Sequence, residues 1–182
     1  MKMLLITTDF PPKINSASMH MEALFLQLLK TGHDVDVCTQ SLTKKSEHPK
    51  SNIFSVNNPF SGSSRYIFRF LSEVALPLII YFKYSILRKK KYDVITTYAP
   101  SIFWIILILL LRRKNQKNTR KILILRDIFP DWSIEIGVLR KGWISNILNW
   151  ISIKFYALHD KILVQSAFDM NNLINKGVNK NK

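Results

Sequence analysis

The sequence predicts an α/β fold with a mostly parallel sheet flanked by helices, and the amino-terminal part of the chain supports this prediction most directly. Residues 3–6 are an apolar run that breaks at Asp9 and a Pro-Pro pair, as a buried parallel strand does where it enters a loop. Apolar residues at helical spacing follow as far as Gly32, and a second apolar run occupies residues 35–38. Strand, helix and strand form a βαβ unit, whose first loop lies at the edge where open α/β sheets bind ligands.

The remainder of the chain continues the alternation of strands and helices. Apolar runs predict further strands at residues 53–56, 92–97, 122–125 and 161–165. Helical spacing predicts a long helix from about residue 62 to Leu87, another at residues 143–158 and a last one at residues 167–176. Pro77 should kink or split the long helix, because proline lacks the N–H that a helix needs. At 182 residues, the chain fits a single domain spanning residues 1–182.

Two of these helices have a predicted apolar face. In the long helix, the residues at helical spacing are Ile67, Phe70, Leu71, Val74, Leu78 and Phe82. The opposite side of that helix is also apolar, so the helix is apolar nearly all round. In the helix at residues 143–158, the face consists of Ile144, Ile147, Leu148, Ile151, Phe155 and Leu158.

Residues 101–111, SIFWIILILLL, are the most apolar run in the chain. A helix that spans a bilayer needs roughly 20 apolar residues, so this run alone is too short. Two interpretations remain open and are compatible with each other. The run is a buried crossover helix between two parallel strands, or it lies partly in the membrane interface, with Trp104 and the next basic residues among the head groups.

The formal net charge is +15, from 27 Lys and Arg against 12 Asp and Glu. Such an excess fits nucleic acid, an anionic membrane surface or an acidic ligand, and lysine use on solvated faces is the simpler explanation. Basic clusters at residues 88–91 and 112–121 each follow a strongly apolar segment, which favours a membrane surface. The sequence has no zinc spacing, RNA-binding aromatic signature or helix-turn-helix pattern, so we expect no nucleic-acid partner.

The single cysteine and the amino terminus bear on the location of the protein. Cys38 excludes an internal disulfide and fits a reducing compartment. The first apolar run is short and is followed by Asp9, which is not the pattern of a secretory signal. We therefore expect a cytoplasmic protein that is peripheral at the inner face of the cell membrane.

Three segments, in chain order, resemble retaining glycosyltransferases of the family 4 type. They are Phe-Pro-Pro at residues 10–12 with Gly-His-Asp-Val from residue 32, then RDIFPDW at residues 126–132 with GVLRKG at residues 137–142, and finally DKILVQS at residues 160–166. The second segment is similar to one found in members that build bacterial surface polysaccharides. Together the three segments extend over nearly the whole chain.

The resemblance implies a Rossmann-like domain, the amino-terminal, acceptor-binding half of a GT-B fold, with the carboxyl-terminal donor domain absent. The complete enzyme, of the hexosyltransferase type, would move a sugar from a nucleotide sugar to a lipid-linked saccharide, without a metal or another cofactor. The isolated chain should then be inactive. Two alternatives remain: a non-catalytic, membrane-associated binding subunit that works with a separate donor-domain chain, and an inactive truncated product.

Arg126 and Asp127 are the predicted catalytic residues, because they follow an apolar strand and should lie at its carboxyl end. In many relatives a His occupies this strand end, and here Arg126 takes that place. Arg126 would bind a phosphate, and Asp127 would orient or polarise the acceptor hydroxyl. The alternative is an Arg-Asp pair that caps the next helix beside Pro130.

The other predicted site residues, all for substrate binding, are Pro12, Asn15, Ser16, Ser18, His20, Asp131 and Glu135. The family has glycines in the first loop, whereas residues 13–18 contain none. Ser16 or Ser18 should cap the following helix and leave its amides facing a ligand, or act as a plain cap. His20 lines the same edge or is a surface residue. Asp131 is a helix-start residue beside Pro130, and Glu135 is a candidate acid.

Overall fold

The computed structural model describes residues 1–40, 51–57, 66–99, 101–115 and 118–182. Within them, a single sheet has the order β3-β2-β1-β4-β5-β6, and every neighbouring pair of strands is parallel. The strands are β1 (Lys2–Thr7), β2 (Asp34–Thr39), β3 (Ile53–Ser55), β4 (Val94–Ala99), β5 (Arg120–Leu125) and β6 (Lys161–Val164). The predicted Rossmann-like α/β fold is confirmed.

Helices lie between the strands, and one follows the last strand. They are α1 (Ser16–Lys30), α2 (Tyr66–Lys83), α3 (Ser85–Lys89), α4 (Trp104–Asn115), α5 (Asp131–Glu135), α6 (Trp143–Ala157) and α7 (Ala167–Asn175). The strand order reverses between β1 and β4, since β2 lies on one side of β1 and β4 on the other. At this reversal the loops that follow β1 and β4 separate and leave room for a ligand at the carboxyl edge of the sheet.

The two faces of the sheet are covered unequally. On one face, α1 contributes Met21 and Phe25 to a small apolar cluster with Leu5 of β1. The other face carries the larger cluster, which is built from α2, α3, α4, α6 and α7 and includes Ile80, Leu107 and Phe155. This arrangement follows from right-handed crossovers, which place helices on opposite faces when the chain moves in opposite directions along the sheet.

A buried polar cluster joins β2 to the segment before β4. Asp36, in the middle of β2, accepts hydrogen bonds from Lys90 Nζ (2.7 Å), the Tyr92 hydroxyl (2.7 Å) and Asn52 Nδ2 (2.8 Å). Burial and then the charge of Asp36 raise the pKa of Tyr92 well above its usual value. The same two causes raise the pKa of the Cys38 thiol, so Cys38 is a neutral, buried structural residue.

Pro77 was predicted to kink or split the long helix; it does not split it, and a kink stays a prediction. Helix α2 runs from Tyr66 to Lys83 through Pro77, and the chain breaks later, between Lys83 and Ser85. Leu76, Pro77 and Ile80 are buried on one side of α2. Their packing holds the helix together across the backbone hydrogen bond that proline cannot make. The predicted beginning of the helix, near residue 62, lies outside the described residues.

The apolar stripe noted in the sequence of α2 does not coincide with the side that faces the core. Leu71, Leu78 and Phe82 are exposed, whereas Leu76 and Ile80 are buried. Because the helix is apolar nearly all round, the spacing of its apolar residues does not determine which side faces the core.

Residues 101–111 form the buried crossover between β4 and β5. Trp104 is 1% exposed, and Leu107 and Leu111 are buried with it, so the interpretation that places Trp104 among lipid head groups is wrong. Among the described residues of this run, Leu109 is the one large apolar side chain that is exposed. No helix in the described ranges has both the length and the apolar character to cross a membrane.

Several cations of the two basic clusters have structural contacts. Lys90 forms the ion pair with Asp36, and the Arg88 guanidinium lies 5.4 Å from the centroid of the Tyr81 ring. Lys121 is buried, and its Nζ donates to the Thr119 carbonyl at 3.0 Å. The basic clusters are therefore partly used within the fold. The side chains of residues 112–117 lie outside the described structure.

Candidate functional site

The carboxyl edge of the sheet brings together the segments that follow β1 and β5. β4 lies between β1 and β5 in the sheet, so Tyr98, near its end, is a neighbour of both loops. The loop after β1 leads into the first turn of α1, and the loop after β5 begins with Arg126 and Asp127. This edge is the place where an open parallel sheet presents ligand-binding groups.

Arg126 connects the three segments. Its Nη1 donates a hydrogen bond to the Ser16 hydroxyl at 2.8 Å and contacts the Tyr98 hydroxyl at 3.5 Å. The hydrogen bond to Tyr98 raises the pKa of Arg126, and the neighbouring carboxylate of Asp127 does so as well. A permanent cation is thereby held against the amino-terminal end of α1.

The loop after β1 is held in place by Asp9. One oxygen of its carboxylate accepts from Asn15 Nδ2 at 3.0 Å, and the other forms an ion pair with Lys13. Asn15 in turn caps α1, because its Oδ1 accepts the backbone N–H of Ser18 at 2.8 Å. The prediction that Ser16 or Ser18 caps α1 is wrong. Asn15 is the capping residue, because it has the extended backbone that this position needs, whereas Ser16 is already helical.

His20 extends this group of residues along α1. It lies four residues after Ser16, which places the two side chains on the same side of the helix. The His20 ring is tilted against the Tyr98 ring, with 5.8 Å between centroids, and His20 is exposed to solvent. We call Ser16, His20, Tyr98 and Arg126 the edge cluster.

Asp127 is exposed, directly beside the edge cluster in sequence. Among the described residues, its carboxylate has no hydrogen-bonding partner. Helix α5 begins at Asp131 after Pro130, and no side chain caps it. The alternative in which Arg126 and Asp127 cap that helix is therefore not what the structure contains, and the carboxylate of Asp127 is open to a ligand.

The remaining predicted residues lie at different places. Asp131 accepts from Lys176 Nζ at 2.8 Å and is thus tied to α7 rather than to the edge cluster. Ser18 is buried under the first turn of α1, whereas Pro12 is exposed in the loop before it. Glu135 is exposed at the last position of α5. In the described ranges, His, Cys, Asp and Glu form no group of three or more that could hold a metal ion.

Comparison with known proteins shows the family. Residues 17–182 match the family described as Glycosyltransferase Family 4, which is most of the chain. The chain belongs to Glycosyltransferase Family 4. No curated protein matches the sequence.

A solved structure shows the same fold as this family 4 chain. Sucrose-phosphate synthase from Thermosynechococcus elongatus superposes with a TM-score of 0.60 at 12% identity. The match covers 98% of this chain and 45% of the synthase chain, so the chain spans less than half the length of that enzyme. At this identity the similarity establishes the GT-B-like fold, and the activity requires its own argument.

The sequence reasoning missed two residues of this family 4 chain. The predicted strand at residues 92–97 stops before Tyr98, but β4 continues to Ala99, and the Tyr98 ring packs in the apolar cluster with α1. Asp9 was interpreted only as the point where a strand breaks. Its position at the carboxyl end of β1, six residues before a helix-capping Asn, was the available signal.

The edge cluster of the family 4 chain has the chemistry of an anion-binding site. The first backbone N–H groups of α1 have no acceptor within the helix, and the helix dipole places partial positive charge at that end. Arg126 lies against this end through Ser16, whereas the charge of Lys13 in the preceding loop is paired with Asp9. A phosphate group placed here would meet helix amides and a guanidinium together.

Proposed function

We propose that the chain is the acceptor-binding half of a glycosyltransferase of the hexosyltransferase type, which moves a sugar from a nucleotide sugar to a lipid-linked saccharide in the synthesis of a bacterial surface polysaccharide. The observation that carries the proposal is the contact of Arg126 with Ser16, which holds a cation at the amino-terminal end of α1 on the carboxyl edge of the sheet. The family match supports sugar transfer as the class of reaction.

A lipid-linked saccharide joined through a diphosphate presents an anion beside sugar hydroxyl groups. Arg126 and the amides of α1 suit the anion, because a guanidinium makes short, charge-assisted hydrogen bonds to phosphate oxygens. Ser16 and His20 offer exposed polar groups, and the Tyr98 hydroxyl lies beside Arg126. Asn15 contributes by holding the first turn of α1 in place.

Asp127 is the residue we assign to the acceptor hydroxyl. Sugar transfer requires an oriented hydroxyl group whose proton is accepted as the new glycosidic bond forms. Asp127 is exposed, ionisable and unbonded among the described residues, next to the Arg126 that would hold the acceptor anion. Pro12 and Glu135 are further candidates for contact with the acceptor. Asp131 forms an ion pair with Lys176 and would contribute by tying α5 to α7.

The donor-binding half is assigned to a second domain or a separate chain, because the family 4 chain matches only 45% of the synthase chain. The nucleotide sugar is a substrate in this scheme, and no cofactor is invoked.

We place the protein at the cytoplasmic face of the cell membrane as a peripheral protein, where a lipid-linked acceptor is available. The net charge of +15 supports attraction to anionic lipid. Such attraction weakens as salt rises, because the Debye length falls from about 10 Å at 0.1 M to about 3 Å at 1 M.

The variant Asp127→Asn tests the proposed chemistry in the complete enzyme, with the donor-binding half supplied in the same or a second chain. It keeps the size of the side chain and removes its charge. We expect sugar transfer to fall by ~10²-fold or more, since one positioned acid–base group contributes ~10²–10⁴-fold. The measurement is the initial rate of transfer of a labelled sugar to lipid-linked saccharide.

Glu22→Gln is the matched control, because Glu22 is an exposed carboxylate on α1. It should transfer sugar at the wild-type rate. Both variants should keep the wild-type melting temperature, because both carboxylates are exposed. A decrease of less than about tenfold in Asp127→Asn would remove Asp127 from the proposed mechanism.

A further inference from the structure

Helix α6 has a buried side and an opposite, exposed side that is also apolar. Ser145, Leu148 and Phe155 face the sheet and are buried. Trp143 and Trp150 lie on the other side and are 73% and 61% exposed. With 3.6 residues per turn, the two sets are about half a turn apart. The sequence prediction placed Ile144 and Ile147 on the core face of this helix, and the structure corrects it, because both are exposed.

The exposed side is a regular row with a basic end. Trp143, Ile147, Trp150 and Lys154 follow at intervals of four, three and four residues, so they line one side of α6 over about 16 Å. The ammonium group of Lys154 lies over the Trp150 ring, 5.6 Å from its centroid. We call these four residues the α6 row.

The loop before α6 also exposes apolar and basic side chains. Ile136 and Val138 are exposed on either side of Gly137, whose positive φ of 76° makes the turn that presents them. Arg140 and Lys141 follow and are exposed. Residues 136–158 contain three cations and no Asp or Glu. The segment from the loop to the end of α6 thus combines exposed apolar side chains, two exposed tryptophans and only positive charges.

We propose that the α6 row and the loop before it are the surface by which this protein docks on an anionic lipid bilayer. Tryptophan prefers the interface between water and lipid, where its ring is partly buried and its N–H stays hydrated. Lysine and arginine beside it reach anionic head groups while their aliphatic stems lie along the apolar surface. The inference rests on the membrane location stated under Proposed function and identifies the surface responsible.

Charge favours a bilayer over a second copy of the chain as the occupant. Two copies meeting through this surface would bring Arg140, Lys141 and Lys154 of one close to those of the other, with no carboxylate from residues 136–158 to pair with them. An anionic bilayer supplies the opposite charge along the whole surface. The two exposed tryptophans would then lie at head-group depth, as residues of an interfacial helix do.

The position of α6 relates the docking surface to the edge cluster. A crossover helix runs antiparallel to its strands, so α6 begins toward the carboxyl edge, where β5 ends at Leu125 and Arg126 follows. The residues between Arg126 and Trp143 form the loop and α5 at this edge. A bilayer on the α6 row therefore brings the head groups of lipid-linked molecules to the same end of the domain as the edge cluster.

The test uses the purified 182-residue chain and vesicles of phosphatidylcholine with or without phosphatidylglycerol. The variant is Trp143→Gln with Trp150→Gln, and the control is Phe168→Gln, which removes a 77% exposed aromatic ring from α7. Cosedimentation measures the partition coefficient, and brominated lipid measures quenching of tryptophan emission. Trp104, which is 1% exposed, is a buried internal reference for the quenching.

We expect the wild-type chain and Phe168→Gln to bind the anionic vesicles alike, and the double tryptophan variant to bind at least tenfold more weakly. Wild-type emission should be quenched by brominated lipid, and the residual emission of the double variant should not. Arg140→Gln with Lys141→Gln should weaken binding to anionic vesicles and reduce its salt dependence.

Equal binding by the wild type and the double variant, or unquenched wild-type emission in the bound state, would overturn this docking surface and leave the membrane location in place. A wild-type chain that binds no vesicles would overturn both, and it would leave the proposed sugar transfer to the assay with Asp127→Asn. Quenching of the wild-type emission by brominated lipid tests the docking surface even if the double tryptophan variant does not fold.

Discussion

His159 is the most strongly buried titratable imidazole among the described residues. Its Nδ1 lies 2.8 Å from the Phe155 carbonyl and its Nε2 lies 3.4 Å from the Thr97 hydroxyl. Burial is the main cause that lowers the pKa of His159 to about 4; the contact with the Phe155 carbonyl opposes this shift, and the nearby cations Lys121 and Lys182 add to it by smaller amounts. His159 therefore stays neutral in the folded protein at physiological pH and supports the packing of α6 on β4.

This pKa predicts a loss of stability in mild acid. In the unfolded chain His159 binds a proton near pH 6.5, and in the folded protein only near pH 4. The free energy of unfolding should be unaffected by this residue above pH 6.5 and should fall by up to ~3 kcal/mol as the pH drops to 4. Urea unfolding at a series of pH values measures it.

His159→Gln should flatten that pH dependence by about one proton relative to the wild type. If His159→Gln keeps the wild-type pH dependence of the free energy of unfolding, groups other than His159 cause that dependence.

At the residue scale, the sequence predicted the location of residues that directly follow a strand. Arg126 and Asp127 follow an apolar run, so their place at the carboxyl edge was predictable from the topology of a parallel sheet. The partner of Arg126 was not, because the contact with Ser16 depends on where α1 begins, and Asn15 rather than a serine fixes that point. Helix boundaries shift by one or two residues for such local reasons.

At the element scale, β2 is fixed to the rest of the sheet by the buried carboxylate of Asp36. Its three partners come from the segment before β3 and from the segment before β4. Such a group contributes to specificity of assembly, and the removal of one partner leaves buried charge uncompensated.

Asp36→Ala should lower the free energy of unfolding by about 3 kcal/mol or more, because Lys90 and Tyr92 lose their acceptor. Chemical denaturation monitored by circular dichroism measures the change. Asp34→Ala, at the first position of the same strand, should cost less than about 1 kcal/mol. A variant at position 36 as stable as the wild type would show that the ion pair contributes nothing net.

The sequence predicted where helices occur, but for α2 and α6 it did not predict which side of the helix faces the core. The run at residues 101–111 was identified as a helix-forming apolar segment, and its burial as a crossover between β4 and β5 was one of two interpretations that the sequence left open. In α2 and α6 apolar residues occupy both sides, so periodicity alone could not assign the core face. Packing against the sheet decides it, and that information lies in contacts between distant parts of the chain.

At the scale of the whole molecule, the described residues place five helices on one face of the sheet and α1 on the other. The edge cluster lies at the carboxyl edge where β1, β4 and β5 meet, and the proposed docking surface begins at the same edge. The fold follows from the family and from the strand order. In the function that we propose, a few side chains at that edge would recognise the acceptor.

The most direct test of the central claim is the binding of an isoprenoid diphosphate to the edge cluster, measured by isothermal titration calorimetry. The wild-type chain should bind farnesyl diphosphate at least about tenfold more tightly than farnesol, since hydrogen bonds to charged groups contribute ~1.5–3 kcal/mol. Arg126→Gln should lose that preference while keeping the wild-type melting temperature. If Arg126→Gln binds farnesyl diphosphate as tightly as the wild type, the edge cluster is not the acceptor site.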